Sequence, residues 1–158
     1  MNDCKEILLE DIVEVSFYLA SNVNCGVPFG VPGVNEMSAD ISGNPVLTIS
    51  VTASDDADAV METPSLKVSE KREAAGLLRS HDLQINVEQG FDAAKQAADA
   101  LSGADIAAVL KAYNGDRYMI HALPNSTLYS YEDGRGGSHT GKVKFTAQSL
   151  SHLVRLTT

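Results

Sequence analysis

Ile106-Ala107-Ala108-Val109-Leu110-Lys111-Ala112-Tyr113-Asn114-Gly115-Asp116-Arg117-Tyr118-Met119-Ile120-His121-Ala122-Leu123 is the stretch on which the fold turns. Two apolar runs, Ile106 to Tyr113 and Arg117 to Leu123, flank Asn114-Gly115, a pair that readily takes the positive φ angles of a type I′ turn. The stretch therefore predicts a β-hairpin. Downstream, Pro124-Asn125 marks another turn and Leu128 to Glu132 a strand. Asp133 to Gly141 is a glycine-rich loop, and Lys142 to Gln148 alternates Val143, Phe145 and Ala147 against Lys144 and Thr146. Leu150 to Leu156 continues as a strand.

Upstream of the hairpin lies the one helical period, Phe91 to Ser102. Phe91, Ala94, Ala98 and Leu101 share a face, with Gly90 before it and Gly103 as its stop. Its alanines let it lie close to a sheet, and it is too short to form a core alone. Before it, Leu83, Ile85 and Val87 alternate with Gln84, Asn86 and Glu88, and Leu66 and Val68 alternate with Lys67 and Ser69. Val46 to Thr52 places Leu47, Ile49 and Val51 on one face, and Glu10 to Leu19 places Val13, Val15, Phe17 and Leu19 on one face. Between these last two runs, Ser21 to Pro45 holds seven Gly and Pro residues and reads as a long loop. Its apolar members Val27, Phe29, Val31 and Val34 are poor choices for a solvated linker and are the candidates for a subunit interface. The expectation is an α+β, mainly β protein: an antiparallel β-sandwich or incomplete barrel with one short flanking helix, built as a single domain over residues 1–158.

The 158 residues are 44% hydrophobic and 21% charged, the balance of a chain that folds. Apolar stretches fall far short of the ~20 residues of a spanning helix, and Asp3, Glu6, Glu10 and Asp11 stand where a secretory signal needs basic and then apolar residues. The expectation is a product of the cytoplasm with no membrane anchor. Cys4 and Cys25 form neither a C-x-x-C pair nor a zinc spacing and read as free thiols. Charge is uneven: residues 1–64 carry eleven acidic side chains against Lys5 alone, and residues 65–158 carry ten acidic against eleven basic. That balance disfavours tight nucleic-acid binding, which needs clustered Lys and Arg.

No stretch carries a complete catalytic or metal-binding signature. Gly136-Gly137-Ser138-His139-Thr140-Gly141-Lys142-Val143 approaches a P-loop, but Val143 replaces the Ser or Thr that would hold magnesium, and Lys142 starts a strand where a helix is needed. His81, His121, His139 and His152 are scattered without a second ligand at i+2 or i+4. Counting from Asp55, an EF-hand would need Gly and Glu where Val60 and Leu66 stand. No Gly-x-Ser-x-Gly elbow is present, and Asn125-Ser126-Thr127 is a glycosylation acceptor only in a secreted chain. Tyr113, Tyr118, Tyr129 and Tyr131 read as sheet-packing residues. The expectation is a protein that is not an enzyme, with no cofactor and no metal.

The order of strands, long loop, further strands, short helix, hairpin and last strands over residues 46–156 resembles that of tailed-phage tail tube proteins and their relatives in contractile and type VI secretion tubes. Asn114-Gly115-Asp116-Arg117-Tyr118 through Leu123-Pro124-Asn125-Ser126, and Gly141-Lys142-Val143-Lys144-Phe145, are similar to stretches of phage virion proteins. The resemblance implies a structural virion protein, a tail tube subunit whose sheets join into stacked rings around a DNA-conducting lumen. It implies partners that are copies of the chain and other virion proteins. A tail terminator or head-to-tail connector would share the composition and form a single ring. A reading of another class is a small enzyme or ligand-binding domain in which His81, Asp82, Arg135 and His139 converge at the loop ends of the sheet.

Overall fold

The structure, a computed structural model, describes residues 12–24, 36–38, 40–62, 64–74, 76–120, 122–133, 141–149 and 153–156. The strands are β1 (Ile12–Leu19), β2 (Val23–Asn24), β3 (Glu36–Met37), β4 (Asp40–Ile41), β5 (Leu47–Ser50), β6 (Ala59–Met61), β7 (Ser65–Glu73), β8 (Gly76–Gln89), β9 (Ile106–Ala112), β10 (Arg117–Ile120), β11 (Leu128–Asp133), β12 (Gly141–Ser149) and β13 (Val154–Leu156). One α-helix, α1 (Phe91–Leu101), stands between β8 and β9, and a 3₁₀ turn, Ala20–Asn22, follows β1. The protein is α+β and mainly β, as the sequence predicts.

Eleven strands form one open sheet in the order β11-β12-β8-β6-β5-β1-β9-β10-β13-β3, with β7 paired to β8; β2 and β4 make a separate ribbon. Since β12 occupies one edge of β8 along Arg79–Val87, β6 and β7 share its other edge in succession. Most pairs are antiparallel, but β5–β6 and β13–β3 are parallel, so the sheet is mixed. The β5–β6 crossover is the acidic stretch that follows Thr52. It is pinned by Asp58, whose Oδ2 accepts the Thr48 amide at 2.9 Å while its own amide donates to the Thr48 carbonyl at 2.8 Å.

Alternation makes one face of this sheet apolar: Val15 and Phe17, Leu47 and Ile49, Leu83, Ile85 and Val87, and Val143, Phe145 and Ala147 are all buried. The sheet curls so that this face meets itself. Phe17 of β1 packs edge-on against Tyr129 of β11, centroids 5.4 Å apart, and 5.3 Å from Phe145 of β12, although four strands separate β1 from β11 and three separate it from β12. Among the described residues no ladder closes the curl. Polar bonds tie the segments that lead into β9 and β11: the Ile106 amide donates to Thr127 Oγ1 at 3.1 Å, Thr127 Oγ1 donates to the Ala104 carbonyl at 3.2 Å, and the Asn125 amide donates to Asp105 Oδ1 at 2.7 Å.

The helix packs into the apolar interior through Ala94, Ala97 and Leu101. Tyr129 Oη donates to the Ala94 carbonyl at 2.6 Å, and burial, helped by Tyr131, drives the Tyr129 phenol well above its ordinary range. Close approach at the helix start depends on Gly90, which sits at φ 84°; a Cβ there would lie 2.6 Å from the Ala59 Cα.

A second, smaller core lies on the opposite face, where Val23, Ala107, Val109, Met119, Val154 and Leu156 cluster with Tyr18 and Ile41. The β2–β4 ribbon thus covers the outer side of β9, β10 and β13. This explains why β9 is almost continuously apolar: Ala108 and Leu110 face the main core, Ala107 and Val109 the second.

Three expectations are corrected by this geometry. The hairpin at Asn114-Gly115 is not type I′, because Gly115 (φ 94°) has positive φ and Asn114 does not. The Gly115 amide donates to the Ala112 carbonyl at 2.9 Å, and the Ala112 amide to the Asp116 carbonyl at 2.8 Å, so the loop is the three residues Tyr113, Asn114 and Gly115, a type I turn followed by a left-handed glycine. Asn114 contributes through its side chain, Oδ1 accepting from the Asp116 amide at 2.9 Å. Next, the stretch Ser21 to Pro45 contains β2, β3 and β4, two-residue strands below the length at which alternation is visible. Finally, the β1 register shifts between Ile12 and Glu14, making Val13 the extra residue of a bulge and burying Ile12 in its place.

Candidate assembly arm and charged cleft

Strand β7 is paired to β8 over its whole length, from Ser65 opposite Gln84 to Glu73 opposite Gly76, and only Leu66 of its nine residues is buried. The ladder and cross-strand charges hold it: Lys67 stands opposite Asp82, and Arg79 Nε donates to Glu70 Oε1 at 3.2 Å. Among the described residues β12 pairs with β8 only as far as Arg79, so beyond that level the β7–β8 hairpin is a two-stranded arm. Its tip carries Lys71, Arg72 and Glu73, with Glu70 at its base; Leu77 on the arm is 40% exposed and Val68, just before it, 38%. Among the described residues β7 pairs with β8 alone, which leaves its outer edge open.

On the outer face of β5, β1, β9 and β10 lies a cleft of about 470 Å³. Register builds its floor. Glu14 stands opposite Lys111, which stands opposite Arg117, giving one row of three charges across three strands. In the next row Thr48, Ser16 and Val109 are aligned, with Ser16 Oγ and Thr48 Oγ1 3.3 Å apart. Asn44 and Pro45 from one loop, and Asp56 and Asp58 from the β5–β6 crossover, form the walls. The cleft is thus two-signed, with Glu14, Asp56 and Asp58 against Lys111 and Arg117.

At the sheet edge, Arg155 of β13 donates to Glu36 Oε1 of β3 at 2.8 Å and lies 4.0 Å from Asp116. The neighbouring Tyr118 phenol is shifted up by burial and by Asp116, against the opposing effect of Arg155.

The interface candidates Val27, Phe29, Val31 and Val34 lie outside the described residues, as do Cys4, Cys25, His121, Arg135, His139 and His152. Of the four residues expected to converge in an enzyme or ligand-binding reading, His81 and Asp82 are described. They do not converge: as neighbours on β8 they point to opposite faces, His81 buried and Asp82 half-buried. Lys142 lies within β12, so the P-loop-like stretch runs into a strand. Asp56 and Asp58, read as part of a solvated acidic loop, instead line the cleft. Glu14, Lys111 and Arg117 carry no signal in sequence, because the row depends on the β1–β9 register, which brings Glu14 of the first strand to Lys111 of the ninth, and on the three-residue loop that sets Lys111 opposite Arg117. Among the described residues there is no metal-binding cluster of His, Cys, Asp or Glu, and no helix long and apolar enough to cross a membrane.

Comparison of the chain with protein-family models, with curated proteins and with solved structures finds no match, so its function has to be argued from these residues and their geometry.

Proposed function

We propose that this chain is a structural subunit that assembles head to tail with copies of itself, and that its role is that of a phage tail tube subunit forming stacked rings around a DNA-conducting lumen. The observation that carries the reading is the β7–β8 arm. Ordering a residue costs about 1–2 kcal/mol of backbone entropy, and β7 offsets that with a single buried side chain. A nine-residue strand of this kind gains its packing from a surface outside the subunit. Among the described residues β7 and β11 each have one edge without a partner strand, and two such edges suit extending one subunit's sheet with the next. The net charge of −9 fits a channel wall that repels the DNA it conducts.

Native mass spectrometry followed by negative-stain imaging tests the reading. Tubes or stacked rings are the expected result; isolated single rings would move the assignment to a tail terminator or connector. A sharp monomer at high protein concentration and near-physiological salt would remove the proposal altogether.

A further inference from the structure

We infer that the charged cleft on the outer face of β5, β1, β9 and β10 is the receptor for the arm tip of a second copy of this chain. The inference rests on the self-assembly reading and gives it a second contact beside the sheet edges. Three observations lead to it.

The first is reach. Met61 pairs with Val87 and Val60 with Gln89, while Val60 also pairs with Ser50, so the Gln89 end of β8 is level with the cleft floor. The arm tip is at the other end of β8, which has 14 residues and is about 45 Å long at roughly 3.3 Å per residue. Held in a ladder by β7 and β12, β8 does not bend its tip back to its own cleft. The occupant is therefore supplied by another molecule.

The second is charge. The tip presents Lys71 and Arg72 beside Glu70 and Glu73, and the cleft presents Asp56, Asp58 and Glu14 beside Lys111 and Arg117. Each surface carries both signs in close sequence, and docking sets the tip cations against the cleft carboxylates and the tip carboxylates against Lys111 and Arg117. A volume of about 470 Å³ falls in the range of pockets that enclose a small ligand, which is also the scale of a few side chains at a hairpin tip.

The third is symmetry. Tip and cleft are different surfaces at opposite ends of the sheet, so each copy that donates a tip also offers an empty cleft. A contact of this kind is heterologous and propagates along the strand direction, closing as a ring or continuing as a filament.

The test uses two charge-reversed full-length variants. The arm variant is Lys71→Glu with Arg72→Glu; the cleft variant is Asp56→Lys with Glu14→Lys. Asp56→Lys alone serves as its backup, because Asp56 is exposed on a loop whereas Glu14 sits within β1. Circular dichroism and melting confirm folding before assembly is measured by analytical ultracentrifugation. Each variant alone is expected to need about 100-fold more protein to assemble, as expected when charge pairs across a contact turn repulsive. An equimolar mixture is expected to assemble as alternating copies, because the intact arm finds the intact cleft and the reversed arm finds the reversed cleft. A chain carrying both reversals is expected to assemble again. If the cleft variants assemble like the unmodified chain while the arm variant does not, the cleft is not the receptor and the self-assembly reading survives. If the arm variant also assembles normally, or the unmodified chain stays monomeric, the arm reading falls and this inference with it.

Discussion

Strand β9 is buried at every residue except Lys111, whereas β7, two residues longer, is buried only at Leu66. Both are held by complete ladders, β9 between β1 and β10 and β7 along β8. β9 is paired on two edges and β7 on one, and a further difference is whether a second layer exists for the side chains to meet. β9 has one on each side, the main core and the β2–β4 ribbon, while β7 past Leu66 meets none among the described residues. On the proposed reading the first strand serves the stability of the fold and the second contact with another copy.

The sharpest way to break this contrast is to make the same substitution in both regions. Leu110→Ala in β9 leaves a cavity in the main core and is expected to cost about 3 kcal/mol, read as a fall in Tm and in the urea midpoint. Leu77→Ala in the arm is expected to cost less than about 0.5 kcal/mol while raising the protein concentration needed for assembly. Equal costs in the isolated subunit would show that the arm is part of the subunit's own core.

Between these extremes lie two changes near β9. Gly115→Val at the β9–β10 turn is expected to destabilise by about 1–2 kcal/mol. No atom lies within 4 Å of the added Cβ, so the cost is that of a β-branched residue at φ 94° alone. An unaltered Tm would mean that the turn tolerates another path. Tyr129→Phe removes the buried bond to the Ala94 carbonyl and is expected to cost about 1 kcal/mol. The phenol also makes the fold sensitive to alkali. Its folded pKa is raised above the ordinary 10.0, so its contribution is complete below about pH 10 and is lost as pH climbs above that value, where the unfolded chain ionises first. The Phe variant should accordingly show a flatter alkaline limb in a plot of stability against pH.

The contrast also accounts for what the sequence could disclose. Where one face is buried and the other wet, alternation is visible, so Leu83, Ile85 and Val87 in β8 and Val143, Phe145 and Ala147 in β12 announce their strands. The helix is equally plain from Ala94 and Leu101. β7 is legible only as Leu66 and Val68, because from Ser69 to Glu73 neither face is buried in the subunit and no period results. The β2–β4 ribbon is hidden for another reason: two-residue strands among glycines and prolines carry no pattern. Asn114-Gly115 marked the right place for a turn, but a type I turn with a left-handed glycine and a type I′ turn both use that pair, and only the path of the backbone separates them. The cleft was invisible throughout. Its row Glu14, Lys111, Arg117 exists only once β1, β9 and β10 are aligned, and its acidic wall looked like an ordinary solvated loop.

Across the curl, the segments that lead into β9 and β11 are joined by side-chain bonds from Thr127 and Asp105, with no strand ladder between them among the described residues. A ladder resists separation along its whole length at once, whereas two or three isolated bonds, each worth about 1 kcal/mol net, give way singly. The seam therefore makes the subunit mechanically compliant in one direction. Its curvature can widen or tighten by a small rearrangement at Ile106 and Asn125 while every strand pair stays intact, and a tube built from such units would flex by sharing that adjustment among its members.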